Sequence, residues 1–205
     1  LMILGALISV MNPLGKIPFF VGLTNEYSVP ERNRIVFWSS FNVLIILLIS
    51  FFAGKFILVF FGIKLTSLKI AGGLIIALSG FALLTGEFAK HKGMKNEKVK
   101  NDIKKRSDIA LTPLAIPMIA GPGTISLLIT YNQEYQELKS VFIILGAILL
   151  SAIIIYAVLK SSFIIVKVLG ASGINALSRI IGFIVIAIGV EFIISAVEGV
   201  FNVSQ

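Results

Sequence analysis

Met11-Asn12-Pro13-Leu14-Gly15-Lys16-Ile17-Pro18-Phe19-Phe20 lies inside an apolar segment long enough to cross a bilayer, and it holds what a bilayer tolerates least. Pro13 and Pro18 lack a backbone N–H and clash with the preceding turn, so a helix through here is kinked or broken. Gly15 permits unusual dihedrals, while Asn12 and Lys16 put an amide and a charge at membrane depth. Backbone that leaves the helix inside a membrane persists only where it is buried in protein or lines a wet cavity. A second such stretch, Pro117-Met118-Ile119-Ala120-Gly121-Pro122-Gly123-Thr124-Ile125-Ser126, follows about 110 residues later, and two interrupted segments at matching places are a pointer to a transporter's binding site.

Composition agrees with a membrane setting. Of 205 residues, 57% are hydrophobic and 14% charged, and the mean hydropathy is +1.01. A soluble all-α core would need polar helix faces that are missing here. With no cysteine, disulfides and thiolate metal sites are excluded. A net charge of +8 could suggest nucleic acid, but eight of the eighteen basic residues fall within residues 87–108. That clustering describes a cytoplasmic loop, not a nucleic-acid groove. The first segment has neither a basic leader nor a small-residue cleavage site and reads as a span, not a signal peptide.

Taken in order, residues 1–24 form a first segment split near Pro13, and residues 35–54 a second span running on to Gly62. Residues 63–68 are a turn, with Thr66 or Ser67 as N-cap, and residues 70–86 a third span rich in small residues that let helices approach closely. Residues 87–108 are the basic loop. Residues 109–133 form a fourth segment with Pro113, Pro117 and Pro122, residues 140–159 a fifth, residues 170–178 a turn, and residues 180–197 a sixth. The expected fold is therefore an all-α membrane protein of six transmembrane helices, the first and fourth broken at mid-membrane. It forms one membrane domain, with repeat one at 1–86 and repeat two at 109–205. By the positive-inside rule, the basic loop is cytoplasmic and both termini lie outside.

Internal similarity supports the duplication. Residues 69–77 align to 179–187 at an offset of 110, residues 56–62 to 164–170 at 108, and Pro13 to Pro122 at 109. Three crossings per half is an odd number, so the second half is inserted upside down, as in secondary transporters with a midplane site.

The chemistry then follows from the breaks. A helix that restarts offers unpaired N–H groups and a partial positive charge, so the amides of residues 15–17 and 123–125 suit a carboxylate. Carbonyls ending the preceding halves, around residues 10–12 and 119–121, suit an ammonium group or a cation. A small zwitterion needs both. The expected substrate-binding residues are Asn12, Pro13, Gly15, Lys16, Gly121, Pro122, Gly123, Thr124 and Ser126. The alternative is that these prolines only shape packing. Lys16 either neutralises a substrate carboxylate, pairs with an acid such as Glu191, or snorkels to the interface.

Glu191 lies within the sixth span, where a carboxylate is costly unless paired or protonated. It is the candidate for proton coupling, against the alternative of a structural ion pair. Glu191, Ser195 and Glu198 share a stripe expected to face the bundle or a cavity, with Gly182 and Gly189 on the opposite side. Lys55, Lys64, Lys69, Lys160, Lys167 and Arg179 read as interface anchors, and His91 as a solvated bystander. An intramembrane enzyme is disfavoured, since the only aspartates, Asp102 and Asp108, sit in or beside the loop. No cofactor and no metal site is expected. A channel and an assembly or scaffold function are the remaining alternatives, although no filter or ring of charge is visible.

Asn12-Pro13-Leu14-Gly15-Lys16-Ile17-Pro18-Phe19, followed by Pro117-Met118-Ile119-Ala120-Gly121-Pro122-Gly123-Thr124-Ile125, resembles the MarC family over essentially the whole chain. The motif residues are Asn12, Pro13, Gly15, Pro18, Gly121, Pro122, Gly123 and Thr124. The resemblance implies SnatA-type, proton-linked and sodium-independent transport of small neutral amino acids such as glycine and alanine. The expected partners are thus that substrate, protons and the lipid bilayer, with no nucleic acid. A homo-oligomer is compatible with this reading, as is an exporter or channel for another small solute.

Overall fold

Proline and glycine positions set the order of elements. The computed structural model describes residues 2–24, 27–85 and 119–202, and among these every regular element is a helix. They are α1 (Met2–Met11), α2 (Pro13–Thr24), α3 (Val29–Phe61), α4 (Leu65–Thr85), α5 (Pro122–Glu134), α6 (Leu138–Lys160) and α7 (Ser162–Asn202). The basic loop 87–108, with His91, and the first part of the fourth segment, 109–118, lie outside the described residues.

The first segment breaks as expected, but only once. Asn12 separates α1 from α2, and Pro13 takes the first helical position, where a missing N–H matters least. Pro18 sits inside α2 without ending it, at the loss of one intrahelical bond. Glu31 then accepts hydrogen bonds from the Ser28 N–H (2.8 Å) and Ser28 Oγ (2.6 Å), fixing the start of α3. α3 runs for 33 residues to Gly62, whose φ of 64° stops it.

Two expected boundaries move. α4 starts at Leu65, so Thr66 and Ser67 lie in its first turn instead of capping it, and the Leu68 N–H reaches the Lys64 carbonyl at 3.1 Å. The expected turn over 170–178 contracts to Gly170 alone, at φ 65° and ψ 174°. One left-handed glycine redirects the backbone, and nothing in the following residues opposes an immediate return to helix.

α3, α4, α6 and Ser172–Gly199 of α7 are long and apolar enough to cross a membrane, and Met2–Pro18 is a shorter apolar stretch. The bundle is apolar outside and mixed inside. Phe37, Trp38, Phe41, Ile45, Phe52 and Phe56 face outward along α3, while Ser39, Ser40, Thr130, Ser151 and Ser162 are buried. Lipid replaces water as the outer solvent, so large side chains can also face outward, while Leu7, Met11, Phe20, Leu47 and Phe51 fill the core and small residues permit the nearest backbone approaches.

The closest backbone-to-backbone packing joins α4 to α7. A Cβ on Gly73 would stand 2.5 Å from the Gly189 carbonyl oxygen, and one on Gly80 would stand 2.6 Å from that of Gly182. Reciprocally, a Cβ on Gly182 would meet the Gly80 carbonyl oxygen at 2.8 Å, and one on Gly189 that of Gly73 at 2.6 Å. The pairs run in opposite directions along the two helices, so α4 and α7 are antiparallel. From Gly73 to Gly182, and from Gly80 to Gly189, the separation is 109 positions, the same as from Pro13 to Pro122. Packing thus relates these helices at 109, one residue from the 110 read off residues 69–77 and 179–187.

Candidate functional site

Asn12 ends one helix and begins the next. Its N–H donates to the Ile8 carbonyl at 2.8 Å, closing α1, and its Oδ1 accepts the Gly15 N–H at 3.1 Å, capping α2. Its φ of 41° makes this reversal possible, and asparagine tolerates that region better than most residues. Gly15 completes the arrangement. A Cβ there would lie 2.4 Å from Asn12 Nδ2, so only glycine lets the amide rest against the first turn of α2.

The cap changes which groups are available for binding. The Gly15 N–H, expected to meet a ligand, is occupied by Asn12 Oδ1. In exchange the Asn12 side chain offers its own donor. The residue is 1% exposed, and Nδ2 has no hydrogen-bond partner among the described residues. A buried amide left unpaired costs about 1–3 kcal/mol, which a ligand acceptor would recover.

The second break has the same logic with different residues. Gly121 is extended (φ −76°, ψ 173°) and Pro122 opens α5. The Ile125 N–H returns to the Gly121 carbonyl at 3.1 Å, so Ile125 is also spent. Gly123 and Thr124 remain as first-turn residues whose N–H groups face no intrahelical carbonyl. Both are buried, Thr124 to 1% exposure.

The breaks meet. A Cβ on Gly123 would lie 3.6 Å from Val10 Cγ1 and 2.7 Å from Ile76 Cγ1, so the start of α5 is wedged between the end of α1 and the middle of α4. Asn12, Pro13 and Lys16 are buried on one side, and Gly123, Thr124 and Ser126 on the other; Gly15 and Gly121 are half-buried, and Pro122 is exposed. Lys16 is engaged within the protein, not extended along its surface. Ser126 Oγ donates to the Leu68 carbonyl at 3.2 Å, so its hydroxyl serves the α4–α5 contact first.

Glu191 does not join this group. It is exposed, as is Glu198, whereas Gly182 and Gly189 face α4. The expectation that the Glu191 stripe faces the bundle is thereby corrected: α7 has one face for close packing, and the glycines occupy it.

Lys69, read as an interface anchor, is instead buried and paired with Glu134. The signal was present in the sequence. Lys69 precedes Gly72, Gly73 and Ile76 at helical spacing, on the stripe that α4 buries.

The family model described as "MarC family integral membrane protein" matches residues 2–201. A membrane protein of Buchnera aphidicola subsp. Baizongia pistaciae is 37% identical over 194 residues, covering 94% of this chain and 89% of that protein. The membrane protein YhcE of Escherichia coli (strain K12) is 35% identical, covering 95% of this chain and 90% of its own length. The inner membrane protein MarC of Escherichia coli (strain SMS-3-5 / SECEC) is 35% identical, with coverages of 93% and 90%. No solved structure matches.

Proposed function

Since the chain belongs to the MarC family of integral membrane proteins, we propose that it is a secondary transporter of small neutral amino acids such as glycine and alanine. The observation that carries this reading is the start of α5 packed against the end of α1, next to Asn12, a buried residue whose Nδ2 has no partner among the described residues. The substrate carboxylate takes the Gly123 and Thr124 N–H groups and Asn12 Nδ2. Its ammonium group takes carbonyls at the end of α1, which have no intrahelical donor left. Val10 and Ile76 close around Gly123 and limit the side chain to hydrogen or methyl.

Six spans in two inverted halves would place this site at the midplane and let the halves rock about it. The reciprocal glycine pairs of α4 and α7 support such a relation, because they repeat the 109-residue spacing of the two prolines. In this arrangement loop 87–108 is cytoplasmic and both termini lie outside. Transport is proton-linked, with Glu191 the carboxylate assigned to coupling.

Reconstitution tests the proposal. The purified protein in proteoliposomes should take up glycine and alanine saturably, with competition confined to small neutral amino acids. Uptake of neither, or conductance that does not saturate, would replace this reading with a carrier of another solute or a channel.

A further inference from the structure

Lys69 Nζ donates to Glu134 Oε1, the ion pair found among the described residues, and it joins the two halves of the chain. Lys69 lies near the start of α4 and is 7% exposed, whereas Glu134 ends α5 and reaches the surface. Beneath the pair, the α4–α5 seam holds the Ser126–Leu68 hydrogen bond. It also holds a very close approach, where a Cβ on Gly72 would stand 1.9 Å from Ser126 Oγ. The seam ends at the breaks, with Gly123 against Ile76 and Val10.

One face of α5 is polar along this whole length. Ser126, Thr130 and Glu134 recur every four residues, so they line up from the break to the ion pair. Thr130 is fully buried and its hydroxyl has no partner among the described residues. Buried hydroxyls are normally satisfied, so Thr130, between the break and the ion pair, is a hydroxyl whose surroundings would change if the seam parted. The opposite end of the bundle differs: Arg179, which aligns with Lys69 in the internal repeat, is exposed.

We propose that the α4–α5 seam is a gate, held closed here by Lys69 and Glu134, and that its parting opens the break site toward the membrane side opposite loop 87–108. The inference rests on the transporter reading and adds the moving contact to it. An ion pair with one partner at the surface is weakly held and can break in each cycle. Its buried lysine favours re-forming the pair over staying open, because an unpaired buried charge is costly.

Because the chain has no cysteine, single reporters are clean. In vesicles, Thr130→Cys should react slowly with a membrane-impermeant maleimide. Adding Glu134→Gln or Lys69→Gln should speed that reaction about tenfold, and the exchange Lys69→Glu with Glu134→Lys should return it to the slow rate. Unchanged labelling in the folded fraction of both neutral variants would overturn the gate, since a purely structural pair would lower yield without wetting Thr130. If those variants fail to fold, Lys69→Cys with Glu134→Cys decides. Bridging the two thiols with a reducible bis-methanethiosulfonate reagent should stop glycine uptake and reductant should restore it, whereas full uptake while cross-linked would refute the proposal. Labelling changes without any amino-acid uptake would spare the gate and sink the substrate assignment. Uptake with unmoved labelling would do the reverse.

Discussion

Asn12 carries two separable duties in one side chain. Oδ1 holds the Gly15 N–H and thereby the start of α2, while Nδ2, packed beside Gly15, is a buried donor with no partner among the described residues. Aspartate also caps helices well. Asn12→Asp should therefore keep thermal stability near the native value but cut glycine uptake, because the lost donor becomes an acceptor facing a carboxylate. Asn12→Ala should lose both, with about 1 kcal/mol of stability gone from the cap. Gly15→Ala should destabilise by about 1–3 kcal/mol, since its Cβ has no room beside Asn12 Nδ2. Unfolding in detergent and uptake in vesicles separate these outcomes. For Glu191, Glu191→Gln is the direct trial: proton dependence that survives it would remove the carboxylate from coupling.

Among the elements, the helices and their breaks were legible because the governing effects are local. A proline after a polar residue within an apolar run ends a helix whatever surrounds it, and the split at Asn12 followed that rule. Facing directions were harder. The Glu191 stripe looked inward because a carboxylate in a span is costly, yet the neighbouring glycines decided how α7 turned. For Lys69 the burial was legible from its spacing to Gly72, Gly73 and Ile76, but its partner, 65 residues away, is announced by no local pattern. Likewise the expected turn at 170–178 failed because one glycine at φ 65° suffices to redirect the chain. Gly170→Ala should cost about 1–2 kcal/mol through backbone strain alone, as no atom lies within 4 Å of the added Cβ. Gly73→Ala should destabilise through contact with the Gly189 carbonyl, by about 1–3 kcal/mol. Gly146→Ala, which meets nothing within 4 Å, should be neutral or mildly stabilising. Thermal unfolding of the three variants side by side checks the contrast.

For the molecule as a whole, the proposed orientation rests on charge. In that reading the loop that carries eight basic residues is cytoplasmic. A cysteine introduced at exposed Gln136 should then react with an impermeant reagent in intact cells, whereas one at exposed Asn33 should react only after permeabilisation. The opposite pattern would turn the bundle over. The tight α4–α7 contact also limits how the protein can move. Backbones that touch through glycine have no slack to slide, so they act as a fulcrum, and any swing must grow with distance from it. The break at Gly123 packs directly against Ile76 of α4, within one turn of Gly73 and Gly80, where the lever arm is short. In the transporter proposed above, movement at the break is therefore small, which is a mechanical reason for its cargo to be small.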